Sequence, residues 1–294
     1  MPNFYFTPEE IEAITTAILG FNTNVYSDKM LIENVVEDKN VFKGYSLIQR
    51  YNCQGCHIID DFGGQIADVI GSPEYSPPNL NTQGLKTQPS WLFNFFKKPI
   101  TIRPNLQVRM PSFNMLSDSD WNGIIFAFQD MDNHNLSFES HLNVDVTTDL
   151  FKAGEKIHMF GACNNCHFYG NELPVQSVST WAPNLAMSKE RLRHEWVIDW
   201  LKDPQIIMPG TKMPAPYLPT KDLLQAPGSV DTWGKYLVEL DGDDDAMLKG
   251  LTDYIFNIQG ETDISNLIKE YFKVNGYDFE SETEDDEDDW DDEW

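Results

Sequence analysis

The chain is 294 residues long, room for two domains of ordinary size, and 41% of its residues are hydrophobic, enough to build real cores. It carries 47 acidic against 21 basic residues, a formal charge of −26, which argues against nucleic acid as a partner and for basic protein surfaces. No apolar run reaches the roughly 18 residues of a membrane-spanning helix, so membrane association is expected only through partners.

The first element lies within residues 1–24, which begin MPNFYFTPEEIEAITTAILG. Thr7 stands as a helix cap, Pro8 at the first helical position and Glu10 at the capping-box position. Ile11, Ile14, Ala17, Ile18 and Phe21 then form an apolar stripe. A second unit spans residues 38–136. In it GYSLIQRYN, from Gly44, leads to the motif CQGCH, Cys53 to His57. PPNL follows, Pro77 to Leu80, and then WLFNFFKKP, Trp91 to Pro99, a short amphipathic helix stopped by proline. VRMPSF brings Met110. The unit closes on SDSDWNGIIFAFQDM, capped by Ser117 with Asp120 completing the box and Trp121, Ile124, Ile125 and Phe128 on one stripe.

Past a polar linker the same order recurs in residues 145–260. Gly154 precedes Cys163 by the same interval as Gly44 precedes Cys53, and GEKIHMFGA leads to CNNCH, Cys163 to His167. APNL, Ala182 to Leu185, and WVIDWLKDP, Trp196 to Pro204, repeat the middle of the first unit. GTKMPAP supplies Met213, and DAMLKGLTDYIFNI the closing helix, with Met247, Leu251, Tyr254, Ile255 and Ile258 on one face. An insertion from Tyr217 to Gly242, rich in Pro and Gly, reads as a surface loop ahead of that helix. DGDDD, Asp241 to Asp245, lacks the spacing of a calcium loop and reads as a solvated helix start. Residues 261–294 read as an acidic tail, with 11 acids and no bases from Phe279 to Trp294.

All four cysteines fall in the two Cys-x-x-Cys pairs, and each pair is followed at once by histidine. A redox dithiol does not need that histidine, and a shared zinc would have to join pairs far apart in the chain. Cys-x-x-Cys-His is the attachment signature of haem c. Two thiols add to the two vinyl groups of haem, and the adjacent imidazole, His57 or His167, lies under the iron. Methionine is the usual sixth ligand in electron-transfer cytochromes. Met110 and Met213 share one context, each preceded by a basic residue and followed by proline, which stiffens a ligand loop. Met115 and Met208 are the nearest rivals.

Each unit therefore resembles a class I c-type cytochrome domain, in the order glycine, helix, CxxCH, Pro-Asn-Leu, middle helix, Met-Pro loop and closing helix. The resemblance covers about residues 38 to 260. It implies an all-α fold of two tandem domains, each wrapped around one covalent haem. It also implies that the carbonyls of Pro78 and Pro183 accept the free ring N–H of His57 and His167, and that Trp91 and Trp196 pack near the haem edge. The opening MPNFYFTPEEIEAITTAILGF lines up with MPSFNMLSDSDWNGIIFAFQDM, Met110 to Met131. The N-terminal helix thus resembles the end of a further cytochrome domain, and Met1 becomes a candidate ligand to a third haem carried by another chain.

Two haems with His and Met ligands imply outer-sphere electron transfer, because six-coordinate iron has no position for substrate. The expected function is a relay passing single electrons between redox partners, as a subunit of a bacterial respiratory complex. The alternative is a di-haem peroxidase with one haem able to open, for which His134, His141, His158 and His194 are other ligand candidates. The acidic tail suits docking to a basic partner. Haem c attachment, as the resemblance implies, means export to the periplasm or the outer face of the cytoplasmic membrane, and no signal peptide is visible in this numbering.

Overall fold

The computed structural model describes residues 7, 14, 39–72, 75–104, 106, 108–132 and 144–275. Over these residues the chain is mostly helical. Its strands are a short antiparallel hairpin, Ile58–Ile59 (β1) with Phe62–Gly63 (β2), so the all-α class expected from the sequence holds. The longer helices are α1 (Lys39–Arg50), α2 (Pro89–Lys97), α3 (Asp118–Met131), α4 (Asp149–Gly161), α5 (His194–Lys202), α6 (Asp244–Phe256) and α7 (Ser265–Val274). Single-turn helices and 3-10 turns lie between them.

Three of the longer helices start on a side-chain cap. Ser117 and Asp120 form a complete capping box at α3, Thr148 accepts from Phe151 N at α4, and Asp243 accepts from Ala246 N at α6. The acid-rich stretch 241–245 thus serves as a helix start. α2 and α5 both stop just short of a proline, Pro99 and Pro204, whose ring disfavours helix in the residue before it.

Two cores form, one per repeat. Leu47 and Ile48 of α1, Leu92 and Phe96 of α2, and Trp121, Ile124 and Phe128 of α3 make the first. Ala153 and Ile157 of α4, Trp196 and Leu201 of α5, and Met247, Leu251 and Ile255 of α6 make the second. In each, the opening helix crosses the closing one backbone to backbone. A Cβ placed on Gly44 would lie 1.9 Å from the carbonyl oxygen of Gly123, and one on Gly154 would lie 1.9 Å from that of Gly250. Only glycine allows that approach.

Two sequence expectations need correction. The insertion 217–242 is not simply a surface loop. It folds into single-turn helices at Lys221–Leu224, Ser229–Trp233 and Lys235–Val238, and Leu224 and Leu237 are buried in the second core at 1% and 0% exposure. Apolar residues at helical spacing prevailed over the Pro and Gly content. The stretch after residue 260, assigned to the acidic tail, first forms α7. Ile264 and Ile268 bury with Phe168 and Trp181 in a small third core, with Tyr271 and Phe272 packed against it. Residues 276–294, the linker with His134 and His141, and residues 1–24 apart from Thr7 and Ile14, Met1 included, lie outside the described residues. Among the described residues no helix is long and apolar enough to cross a membrane.

Candidate functional site

The two CxxCH motifs adopt the same local structure. α1 and α4 each end ahead of a residue in the left-handed region, Asn52 at φ 51° and Ala162 at φ 46°. An alanine there is sterically costly, so the second motif holds a strained backbone at the position the first fills with the more tolerant asparagine. The turn that follows carries both cysteines, and His57 N and His167 N each donate to the carbonyl of the first cysteine, Cys53 or Cys163, at 2.9 Å. The next residue pairs with the Pro-Asn-Leu segment: Leu80 N donates to Ile58 O at 2.8 Å and Leu185 N to Phe168 O at 2.9 Å.

This pairing brings Pro78 and Pro183 against the histidines. His57 Nδ1 lies 2.8 Å from Pro78 O, and His167 Nδ1 lies 2.7 Å from Pro183 O. Since a carbonyl only accepts, Nδ1 carries the proton in both, and Nε2 keeps its lone pair for a metal. Burial lowers the pKa of both imidazoles, opposed by the carbonyl bond, and both rings are held neutral. All four cysteines are free thiols of intermediate burial. Burial raises Cys53, and pushes Cys163 up to about 11. These thiols are not resting nucleophiles of the low-pKa kind. Among the described residues no three His, Cys, Asp or Glu side chains gather to hold a bare metal ion.

Met110 and Met213 are both partly buried, each packed against the core of its own repeat. Phe113, from the same Met-Pro-x-Phe stretch as Met110, packs edge-on against Tyr51 at 5.7 Å and Trp121 at 6.3 Å and anchors the loop. The sulfur of Met213 accepts a hydrogen bond from Trp200 Nε1 at 3.0 Å. Of the rivals, Met115 is 69% exposed. The spare histidines within the described residues have other partners: His158 pairs with the Tyr169 hydroxyl, and His194 Nε2 lies 2.7 Å from Asp253 Oδ1. Burial, with His167 nearby, lowers His158 to about 4.

The repeats meet through equivalent segments, just before Trp91 and Trp196. Thr87 faces Leu192 in an antiparallel bridge, Gln88 N donates to Arg191 O at 2.8 Å, and Arg193 N donates to Lys86 O at 2.9 Å. Lys86 and Arg191 occupy the same position relative to the tryptophans, so the contact has a local two-fold axis. Each cation crosses that axis. Lys86 Nζ lies 5.0 Å from the Trp196 ring, and Arg191 lies 5.4 Å from Trp91. Trp196 Nε1 also donates to Thr82 Oγ1 at 3.1 Å, and Lys212, just before Met213, reaches the Tyr75 hydroxyl at 3.0 Å. Trp91 and Trp196 therefore lie at the contact between repeats, each stacked on an aromatic one turn on, Phe95 or Trp200.

Buried positive charge concentrates here. Lys86 is held well below its ordinary pKa, by burial first and then by Arg191 and Arg103. Burial lowers Arg191 and Arg103 to about 10, each helped by a neighbouring arginine. Arg103 donates to Ser76 O at 2.5 Å, whereas Arg191 Nε is buried without a hydrogen-bond partner among the described residues. No carboxylate among them forms an ion pair with Lys86, Arg103 or Arg191. Isolated buried cations cost several kcal/mol. The contact between the repeats thus buries a cluster of basic side chains. Sequence reasoning missed these cations, although carrying the repeat back from the tryptophans aligns Lys86 with Arg191. It missed Trp200 because the repeat places Phe95 opposite it.

No protein-family model, curated protein or solved structure matches the chain.

Proposed function

We propose that the chain is a di-haem c-type cytochrome working as an electron relay, with one covalent haem in each repeat and no substrate chemistry of its own. The observation that carries this reading is the duplicated constellation of two free thiols, a histidine with Nε2 left open by a proline carbonyl, and a thioether packed against the same core as the first cysteine. The fit extends to charge, because haem brings two carboxylates and the contact between repeats offers buried cations without anionic partners among the described residues. When bound, the group accepts and releases one electron at its iron.

The chain's own residues have separate tasks. Cys53 and Cys56, and Cys163 and Cys166, would tether the macrocycle. His57 and Met110 in one repeat, and His167 and Met213 in the other, would bind the iron. The Pro78 and Pro183 carbonyls fix the imidazole tautomer and orientation, and make the ring a stronger donor. Lys86, Arg103 and Arg191 would receive the carboxylates, and the helix crossings give a stiff frame that limits rearrangement on electron transfer. Trp91 and Trp196 would line the edge where the repeats meet. The reading extends to an exported location and to partners with basic docking surfaces, as expected for a respiratory-complex subunit.

The test is the intact mass and visible spectrum of the full chain, exported in a host that attaches haem c. Two attached haems are expected, falling to one in the Cys53→Ser, Cys56→Ser variant. Both should show the red charge-transfer band of sulfur-ligated oxidised iron. A folded chain that takes up no haem would overturn the reading. Peroxide turnover by an open haem would replace it with the peroxidase.

A further inference from the structure

The two repeats match closely around the histidines and differ beside the methionines, residues 95 and 200 among the differences. Residues 95 and 200 are equivalent, each one turn beyond the tryptophan of its helix and stacked on it, at 5.1 Å and 13° for Trp91 with Phe95 and 5.4 Å and 12° for Trp196 with Trp200. The packing is therefore shared, and the chemistry is not. Phe95 has no donor. Trp200 Nε1 points its hydrogen at Met213 Sδ, 3.0 Å away. Indole N–H can only donate, and a thioether is a weak acceptor that does not need the bond for its own solvation. Nothing about stacking requires the contact.

We propose that Trp200 tunes the haem of the second repeat through this bond, making it the better electron acceptor of the two. The inference rests on the assignment of Met213 as an axial ligand. A hydrogen bond to the sulfur draws electron density away from iron, which disfavours the oxidised, more positive state and raises the reduction potential. In the first repeat Met110 has no such donor at the equivalent position. Arg103 and Lys86 lie near His57 and also favour reduction there. Among the described residues no cation acts in the same way on His167; the charge of Arg103 and Lys86 would be offset by the carboxylates they receive, whereas the indole acts on the ligand atom itself. The relay thus has a direction, with the electron entering at the first repeat and settling in the second. Trp200 is a positioning and tuning residue; it would not touch iron.

The experiment is a spectroelectrochemical titration of the full di-haem chain and its Trp200→Phe variant. Phenylalanine reproduces residue 95, so the stack is retained. One of the two reduction equilibria is expected to move several-fold to tenfold toward the oxidised form, at most about 59 mV for a one-electron couple. The other should stay in place, with the sulfur charge-transfer band retained. Replacing Trp200 by benzothienylalanine, which keeps the bicyclic shape and lacks the N–H, carries the same test should the smaller ring disturb folding. Unchanged potentials in both variants, or equal shifts of both haems, would overturn the proposal. A wild-type chain without covalent haem, or without the sulfur band, would instead refute the underlying assignment.

Discussion

Asp132, just past the end of α3, shows how one side chain ties a helix to the loop that carries the interface cation. Its Oδ2 accepts from Gly84 N at 2.7 Å and Leu85 N at 3.2 Å, at the single-turn helix that ends on Lys86. Burial raises its carboxyl to about 6 from 3.8, with the two N–H bonds pulling the other way. The folded state thus binds this proton more tightly than the unfolded chain does. The associated stability is complete below about pH 3.8 and is lost as pH rises through about 6. Asp132→Asn keeps an acceptor oxygen and does not titrate. It is expected to gain on the wild type between about pH 4 and pH 7, by on the order of 1 kcal/mol after allowing for solvent around a half-exposed group. Denaturant melts at the two pH values measure the gain, and a difference constant with pH would assign the shift elsewhere.

At the scale of elements, the glycine crossings decide whether each repeat closes. An alanine at Gly154 would put Cβ 1.9 Å from the Gly250 oxygen, and one at Gly44 would put it 1.9 Å from the Gly123 oxygen, both against backbone that has no way to turn aside. At Gly123 the nearest atom, Asn40 O, is 3.0 Å away. Gly44→Ala and Gly154→Ala are therefore expected to destabilise by about 3 kcal/mol or more, and Gly123→Ala by about 1 kcal/mol. Equilibrium unfolding ranks them, and a gain in stability at all three would mean that the better helix propensity of alanine outweighs contact. Gly44 and Gly154 were legible in the sequence because their spacing to the cysteines repeats. Their partners Gly123 and Gly250 sit inside amphipathic patterns that read as helix with or without them. The same contrast holds elsewhere. Caps such as Ser117, the CxxCH turns and the proline stops are local signals, and each fell where the pattern put it. The burial of Leu224 and Leu237, and of Ile264 and Ile268, depends on surfaces that fold from distant sequence, and there the composition of the segment misled.

At the scale of the whole molecule, the two repeats join with their equivalent segments antiparallel, so that each presents a cation to the tryptophan of the other. That contact allows a decisive sign. Replacing buried, unpaired cations by apolar side chains of similar length is ordinarily neutral or stabilising. If Lys86 and Arg191 hold haem carboxylates, the double variant Lys86→Met, Arg191→Met leaves those carboxylates buried and unneutralised. Their negative charge then favours the oxidised iron. Both reduction equilibria are expected to shift toward the oxidised form by about tenfold, and the loaded protein to unfold at lower denaturant, because removing one side of a buried ion pair costs about 3 kcal/mol or more. The Trp200→Phe variant moves one haem and this one moves both, so the two sets of potentials separate an effect at the ligand from one at the contact. A more stable double variant with unchanged potentials would mean that the cations meet no anion, and the inter-repeat contact would then be held by its backbone bridge and stacked rings alone.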